Sequence, residues 1–162
     1  SWTLTNGATF ATLSNPTTNT TNLVSGTSGG TATAQYTASY GSSPSCSISA
    51  SRDVVVNPLP TIVLGSNPAV CSGSTSALLT YSGVTGSPNV YSINFDAAAE
   101  TQGFVDAINV SSTFASPISI TVPAGAASGT YNATFVVENN TVGCESQVYN
   151  ITVTVNPRPT AV

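Results

Sequence analysis

The feature that most constrains this chain is a match of the sequence to itself at a spacing of 99 residues. Gly30 aligns with Gly129 (129 − 30 = 99), Thr31 with Thr130, Ala34 with Ala133, Val54 with Val153 and Val56 with Val155. The strongest block is ungapped: Asn57, Pro58, Pro60, Thr61 and Val63 match Asn156, Pro157, Pro159, Thr160 and Val162. A period near 100 residues is a whole domain rather than a solenoid turn. The repeat predicts one complete unit over 58–156, the last part of a preceding unit over 1–57, and the start of a third unit or a linker at 157–162. By the same offset, about 42 residues of the first unit (99 − 57 = 42) are expected to lie ahead of Ser1.

Each unit reads as strand. Across the complete one, strand signals fall at Thr61–Leu64, Ala77–Tyr81, Val90–Phe95, Ile118–Val122, Thr130–Glu138 and Gln147–Val155, with turn residues between them. In the last, Val148, Asn150, Thr152 and Thr154 share one face and Tyr149, Ile151, Val153 and Val155 the other. That period-2 pattern belongs to a sheet with one side on a core and one side in water. Asn139, Asn140 and Gly143 mark a hairpin turn, matched upstream by Gly41–Pro44. Residues 96–108 break the alternation and are expected to form a short helical turn or an irregular crossover. The whole predicts an all-β chain of tandem two-sheet sandwiches, the first incomplete in this window.

Composition narrows the function. Charged residues are only 5% of the chain, with two Arg, no Lys, no His and a net charge of −4. Such a chain cannot neutralise a run of phosphates, which argues against nucleic acid as a partner. No apolar stretch approaches the roughly 18 residues that span a bilayer. Without His or Lys, the many Ser and Thr have no base to activate them, so the reading is not an enzyme. No cofactor is called for. Asp96, Glu100 and Asp106 share the irregular crossover and are weak calcium candidates, though their spacing is not that of a calcium loop.

Three cysteines without His or C-x-x-C spacing make a poor zinc site, and disulfide pairing is the better reading. A Cys71–Cys144 bridge is expected to tie the opening of the complete unit to its late hairpin. Cys46 is the counterpart of Cys144 one position out of register, a slip assigned to a variable loop. Its partner would fall upstream of the window. The Asn57, Pro58, Pro60 and Asn156, Pro157, Pro159 junctions read as short stiff linkers, because proline fixes φ and holds its predecessor extended. Tyr36, Tyr40 and Tyr91 are candidates for stacking on sugars, with core or cross-strand packing as the alternative.

The run Ser116-Pro-Ile-Ser-Ile-Thr-Val-Pro-Ala-Gly, then Ser128-Gly-Thr-Tyr-Asn-Ala-Thr, Val142-Gly-Cys-Glu-Ser and Ile151-Thr-Val-Thr-Val-Asn-Pro-Arg-Pro-Thr, resembles the PKD-like and Ig-like repeats of very long Bacteroidetes surface proteins. The resemblance covers the complete unit and the tail of the first. Trp2 has no aromatic counterpart at the 99-residue offset, Thr101, which marks the first unit as a different subtype. What the resemblance implies is an Ig-like or PKD-like sandwich in an adhesin-like cell-surface protein exported by the type IX route, associated with gliding motility. The expected role is a spacer stacked end to end in a stalk, filament or fibre, its partners being neighbouring repeats or self-assembled copies. The alternative is an adhesin module that binds glycan or a surface through its loops.

Overall fold

The computed structural model describes residues 1–26, 28–41 and 46–159. The chain divides into two compact units, Ser1–Leu59 and Pro60–Val162, so the division falls two residues beyond the expected boundary at Asn57/Pro58. Among the described residues all regular structure is β apart from one helical turn, and no helix is long and apolar enough to cross a membrane.

Unit 1 contains β1 (Trp2–Asn6), β2 (Ala11–Ser14), β3 (Asn22–Ser25), β4 (Gly30–Tyr40) and β5 (Cys46–Val56). Strands β1, β4 and β5 form one antiparallel sheet in that order, and β2 and β3 pair as a separate ladder. Its core is small: Ala11, Ala32 and Ala34 are buried. Gly7, at φ +87°, lets the chain lie on Ala32, since a Cβ there would stand 2.7 Å from the Ala32 Cα. The turn expected at Gly41–Pro44 falls largely on residues 42–45, outside the described residues.

Unit 2 begins with β6 (Thr61–Leu64), β7 (Ala69–Cys71), β8 (Ser76–Leu79), β9 (Tyr81–Thr85) and β10 (Val90–Phe95). It continues through α1 (Ala97–Thr101), β11 (Ala107–Ser111), β12 (Ile118–Thr121), β13 (Gly129–Asn139), β14 (Cys144–Glu145) and β15 (Tyr149–Asn156). One sheet runs β11-β10-β13-β15-β7 with β14 added to β13; the β6–β9 and β8–β12 ladders form the rest. The alternation in β15 holds: Ile151, Val153 and Val155 are buried, Asn150 exposed, and Thr152 and Thr154 half-exposed. β13 buries Tyr131, Ala133, Phe135 and Val137 in the same way. Ile62, Ala77, Leu79, Ile118 and Ile120 from the short ladders close on those side chains in one continuous core. A two-layer β-sandwich is the result.

β6 and β10 occupy the expected residues, while the run expected at Ala77–Tyr81 splits at Thr80 into β8 and β9. The expected crossover resolves into both a helical turn and a strand. Asp96 caps α1, its Oδ1 accepting from the Ala99 N–H at 2.8 Å, and β11 then returns to pair with β10.

The 99-residue offset recurs in the ladders. Gly30 pairs with Val56 and Gly129 with Val155, so both members of each pair are 99 apart. At the far ends Tyr40 pairs with Cys46 and Asn139 with Cys144, which makes the two cysteines true counterparts. Their one-residue slip arises in the turn, as expected: four residues (140–143) separate Asn139 from Cys144 where five (41–45) separate Tyr40 from Cys46, and an extra residue at Ser146–Val148, between β14 and β15, restores the offset of 99. There Ser146 replaces ladder pairing: its N–H donates to the Val137 carbonyl, and its Oγ accepts from the Val137 N–H.

Candidate functional site

Register also corrects the partner of Trp2. Trp2 pairs with Tyr36, and the counterpart of Tyr36, Phe135, pairs with Ile93, so Trp2 corresponds to Ile93 at an offset of 91 (93 − 2). Thr101, expected from the uniform offset, lies in α1 instead. The connection between the first two sheet strands is eight residues shorter in unit 1. Residues 58–91 of unit 2, 34 in number rather than 42, therefore have no counterpart among residues 1–57.

Cys71 and Cys144 do not pair as expected. All three thiols are free, Cys46 and Cys71 exposed and Cys144 half-buried. Cys144 lies opposite Asn139 at one end of β13, whereas Cys71 lies opposite Asn156, just past the Gly129–Val155 pair at the other end. The ten residues separating those ends of β13 span about 33 Å at 3.3 Å per residue. A disulfide needs Cα atoms within about 7 Å. The expected Cys71–Cys144 bridge is therefore excluded in this fold, because the two residues occupy opposite poles of one sheet.

The acids of the crossover are engaged in structure. Asp96 accepts from Ala99 N–H and, through Oδ2, from Asn132 Nδ2 at 2.9 Å; these bonds hold its carboxyl below the usual aspartate range. Asp106 accepts from the Phe95 N–H at 2.8 Å and from Asn94 Nδ2 at 3.2 Å. Glu100 stands exposed in the first turn of α1. Among the described residues no three His, Cys, Asp or Glu side chains converge in a group able to hold a metal ion.

The junction residues divide between the units. Pro58 packs against Gly29 in unit 1, whereas Pro60 is fully buried in unit 2. Pro60 is thus core, not linker, and leaves Leu59 between the two anchors. Asn156 ends β15 and its carbonyl accepts from Ser72 N–H; Pro157 and Pro159 are exposed beyond it. Of the three tyrosines, Tyr36 is half-buried with its ring 5.0 Å from Trp2, and Tyr91 is half-buried and stacked on Phe135 at 6.0 Å. Only Tyr40, 88% exposed, is free to stack on a ligand.

A surface not anticipated from sequence lies on the solvent side of β10, β13 and β15. Asn94, Asn132, Thr134, Asn150 and Thr152, with Asn67 and Asp96, line an open groove of about 460 Å³. Such side-chain amides present donors and acceptors together and carry no net charge. The signal was present in the polar half of the β15 alternation, where Asn150 and Thr152 share a face. The sequence matches no protein-family model and no curated protein sequence.

Proposed function

We propose that the chain is a piece of an extracellular structural array, in which Ig-like sandwich units of about 99 residues act as spacers stacked end to end. The observation that carries this reading is the register shared by the β4–β5 and β13–β15 ladders, from Gly30–Val56 and Gly129–Val155 to Tyr36–Ala50 and Phe135–Tyr149, which supports reading the two units as copies of one module. The Ig-like assignment draws support from strand order and from Tyr131. This tyrosine stands near the start of β13, and its hydroxyl donates 2.6 Å back to the Ala127 carbonyl, as in the tyrosine corner of such sandwiches. Export and a surface location rest on the resemblance to Bacteroidetes surface repeats and on the charge-poor, hydroxyl-rich composition.

Small-angle scattering on head-to-tail concatemers of residues 58–156 tests the spacer reading. The eleven-residue β13 sets a length scale of about 36 Å per unit. Maximum dimension growing by about that amount with each added unit supports a spacer; a dimension that stays nearly constant as units are added refutes it. A second reading, a binding module, is favoured by the amide-lined groove, which suits an uncharged polyhydroxyl ligand such as a glycan. Its test is a glycan array probed with the chain and with Asn132→Ala and Asn150→Ala variants. Binding lost in both variants supports that reading, and an array without hits counts against it.

A further inference from the structure

Unit 2 carries one thiol beside the point where its chain enters and another beside the point where it leaves. Cys71 marks the exit: it lies opposite Asn156, where β15 ends, and the Ser72 N–H donates to the Asn156 carbonyl at 2.8 Å. Cys144 marks the entrance. Thr61, the first residue of β6, pairs with Thr85; the next residue but one along, Gly86, offers its carbonyl to Asn139 Nδ2 at 3.2 Å; and Asn139 lies opposite Cys144. Cys71 is exposed, Cys144 is half-buried, and both thiols are free. The entrance thiol also recurs with the repeat, since Cys46 lies opposite Tyr40 as Cys144 lies opposite Asn139. A tandem order of such units changes which thiols are neighbours. Thr160 aligns with Thr61, so only residues 157–159 separate the end of β15 from the residue that opens β6 in the next copy of the sequence pattern. Fully extended, that connector reaches about 14 Å.

We propose that successive copies of unit 2 are stapled by a disulfide between Cys71 of one copy and Cys144 of the copy that follows it. The proposal rests on the end-to-end reading above, which alone puts an exit pole against an entrance pole. Inside one unit the two thiols stand at the ends of β13, about 33 Å apart, and cannot meet. Across a junction they flank a connector of about 14 Å, within which the poles can close to the roughly 7 Å between Cα atoms that a disulfide needs. The oxidant is a disulfide of the surrounding medium or export route, carried by a protein or a small molecule. One cysteine thiolate attacks it, forming a mixed disulfide and releasing one acceptor thiol; the second cysteine thiolate then displaces the other acceptor sulfur. In all, two cysteine thiols give up two electrons and two protons, and the acceptor disulfide leaves as two thiols. The staple closes the junction covalently and restrains bending at the Asn-Pro-x-Pro connector, so stiffness of the array becomes dependent on redox state.

The test protein is residues 1–156 followed by a second copy of residues 58–156, with Cys46→Ser so that unit 1 carries no thiol. One variant keeps Cys71 in the first copy and Cys144 in the second. Its mirror keeps Cys144 in the first copy and Cys71 in the second, which leaves the thiols at the two outer poles. Every other cysteine is serine. Both variants are equilibrated at low concentration in a glutathione redox buffer and mapped by mass spectrometry without reduction. Expected in the first variant alone is an intramolecular bridge, seen as the loss of two hydrogens and a linked Cys71–Cys144 peptide, with an effective thiol concentration about a hundredfold above that of the mirror. Small-angle scattering on a cysteine-free form of the same tandem tests the stacking separately. An extended tandem whose first variant stays reduced overturns the bridge and leaves the spacer reading standing. A compact tandem overturns both. Equal closure in the two variants also overturns the bridge, because the pairing would then owe nothing to which poles meet.

Discussion

Phe135 and Tyr36 occupy the same position of the repeat, 99 residues apart, yet truncating them should have very different costs. Phe135 is 0% exposed at the centre of unit 2. Its replacement by alanine removes a whole ring and leaves a cavity that the two sheets cannot close, a loss of about 3–5 kcal/mol. Tyr36 is half-buried and packs chiefly on Trp2. Half of a full aromatic burial with no enclosed cavity comes to about 1 kcal/mol. With a urea slope of about 2 kcal/mol per molar, Phe135→Ala lowers the unit 2 midpoint by about 2 M and Tyr36→Ala lowers that of unit 1 by about 0.5 M. Trp2 fluorescence follows unit 1, and amide exchange of β13 and β15 against urea follows unit 2. A Tyr36→Ala cost of 3 kcal/mol or more would mean that its face is enclosed, and the reasoning from register to an open unit 1 would fail.

Other expectations follow from single contacts. Tyr131→Phe deletes the hydroxyl bond to Ala127 and should destabilise unit 2 by about 1–2 kcal/mol. Tyr81→Phe should be neutral or stabilising in the same urea assay, because the Tyr81 hydroxyl is buried without a partner, and that burial also raises its pKa. Oxidation with a low-molecular-weight disulfide, followed by non-reducing peptide mapping, should yield no Cys71–Cys144 peptide from monomer, while native Cys46 and Cys71 react readily with a thiol reagent. The depressed carboxyl of Asp96 makes its cap a source of stability above the ordinary aspartate value of 3.8, lost as pH falls through its lower folded value. The Ala99 amide and Asn132 side-chain resonances should therefore titrate with a midpoint below 3.8, and a midpoint above it would contradict the capping geometry.

How far the sequence discloses this molecule depends on how local each feature is. The alternation from Tyr149 to Val155 sets a strand and its buried face, since period 2 has one physical meaning over seven residues. β7 was not legible: Ala69–Cys71 is three residues long and becomes a strand only because β15 offers it an edge. Nor was the splitting of the crossover, in which Asp96 starts a helical turn and Asp106 anchors the return to β10. The cysteine pairing failed for a different reason. Both thiols flank strands of one sheet, and which pole each reaches depends on strand direction, a property of topology that spacing does not carry. The groove was half legible, because its amides are the polar members of the alternation but their convergence across β10, β13 and β15 is tertiary.

The parallel pairing of β7 with β15 also decides how unit 2 would answer to tension. The chain enters through residues 60–71 and leaves at Asn156, so opposite pulls on those two points drive β7 toward its start and β15 toward its end. The bonds from Thr154 N–H to the Pro68 carbonyl and from Ser72 N–H to the Asn156 carbonyl are then loaded together, in shear, rather than peeled one at a time.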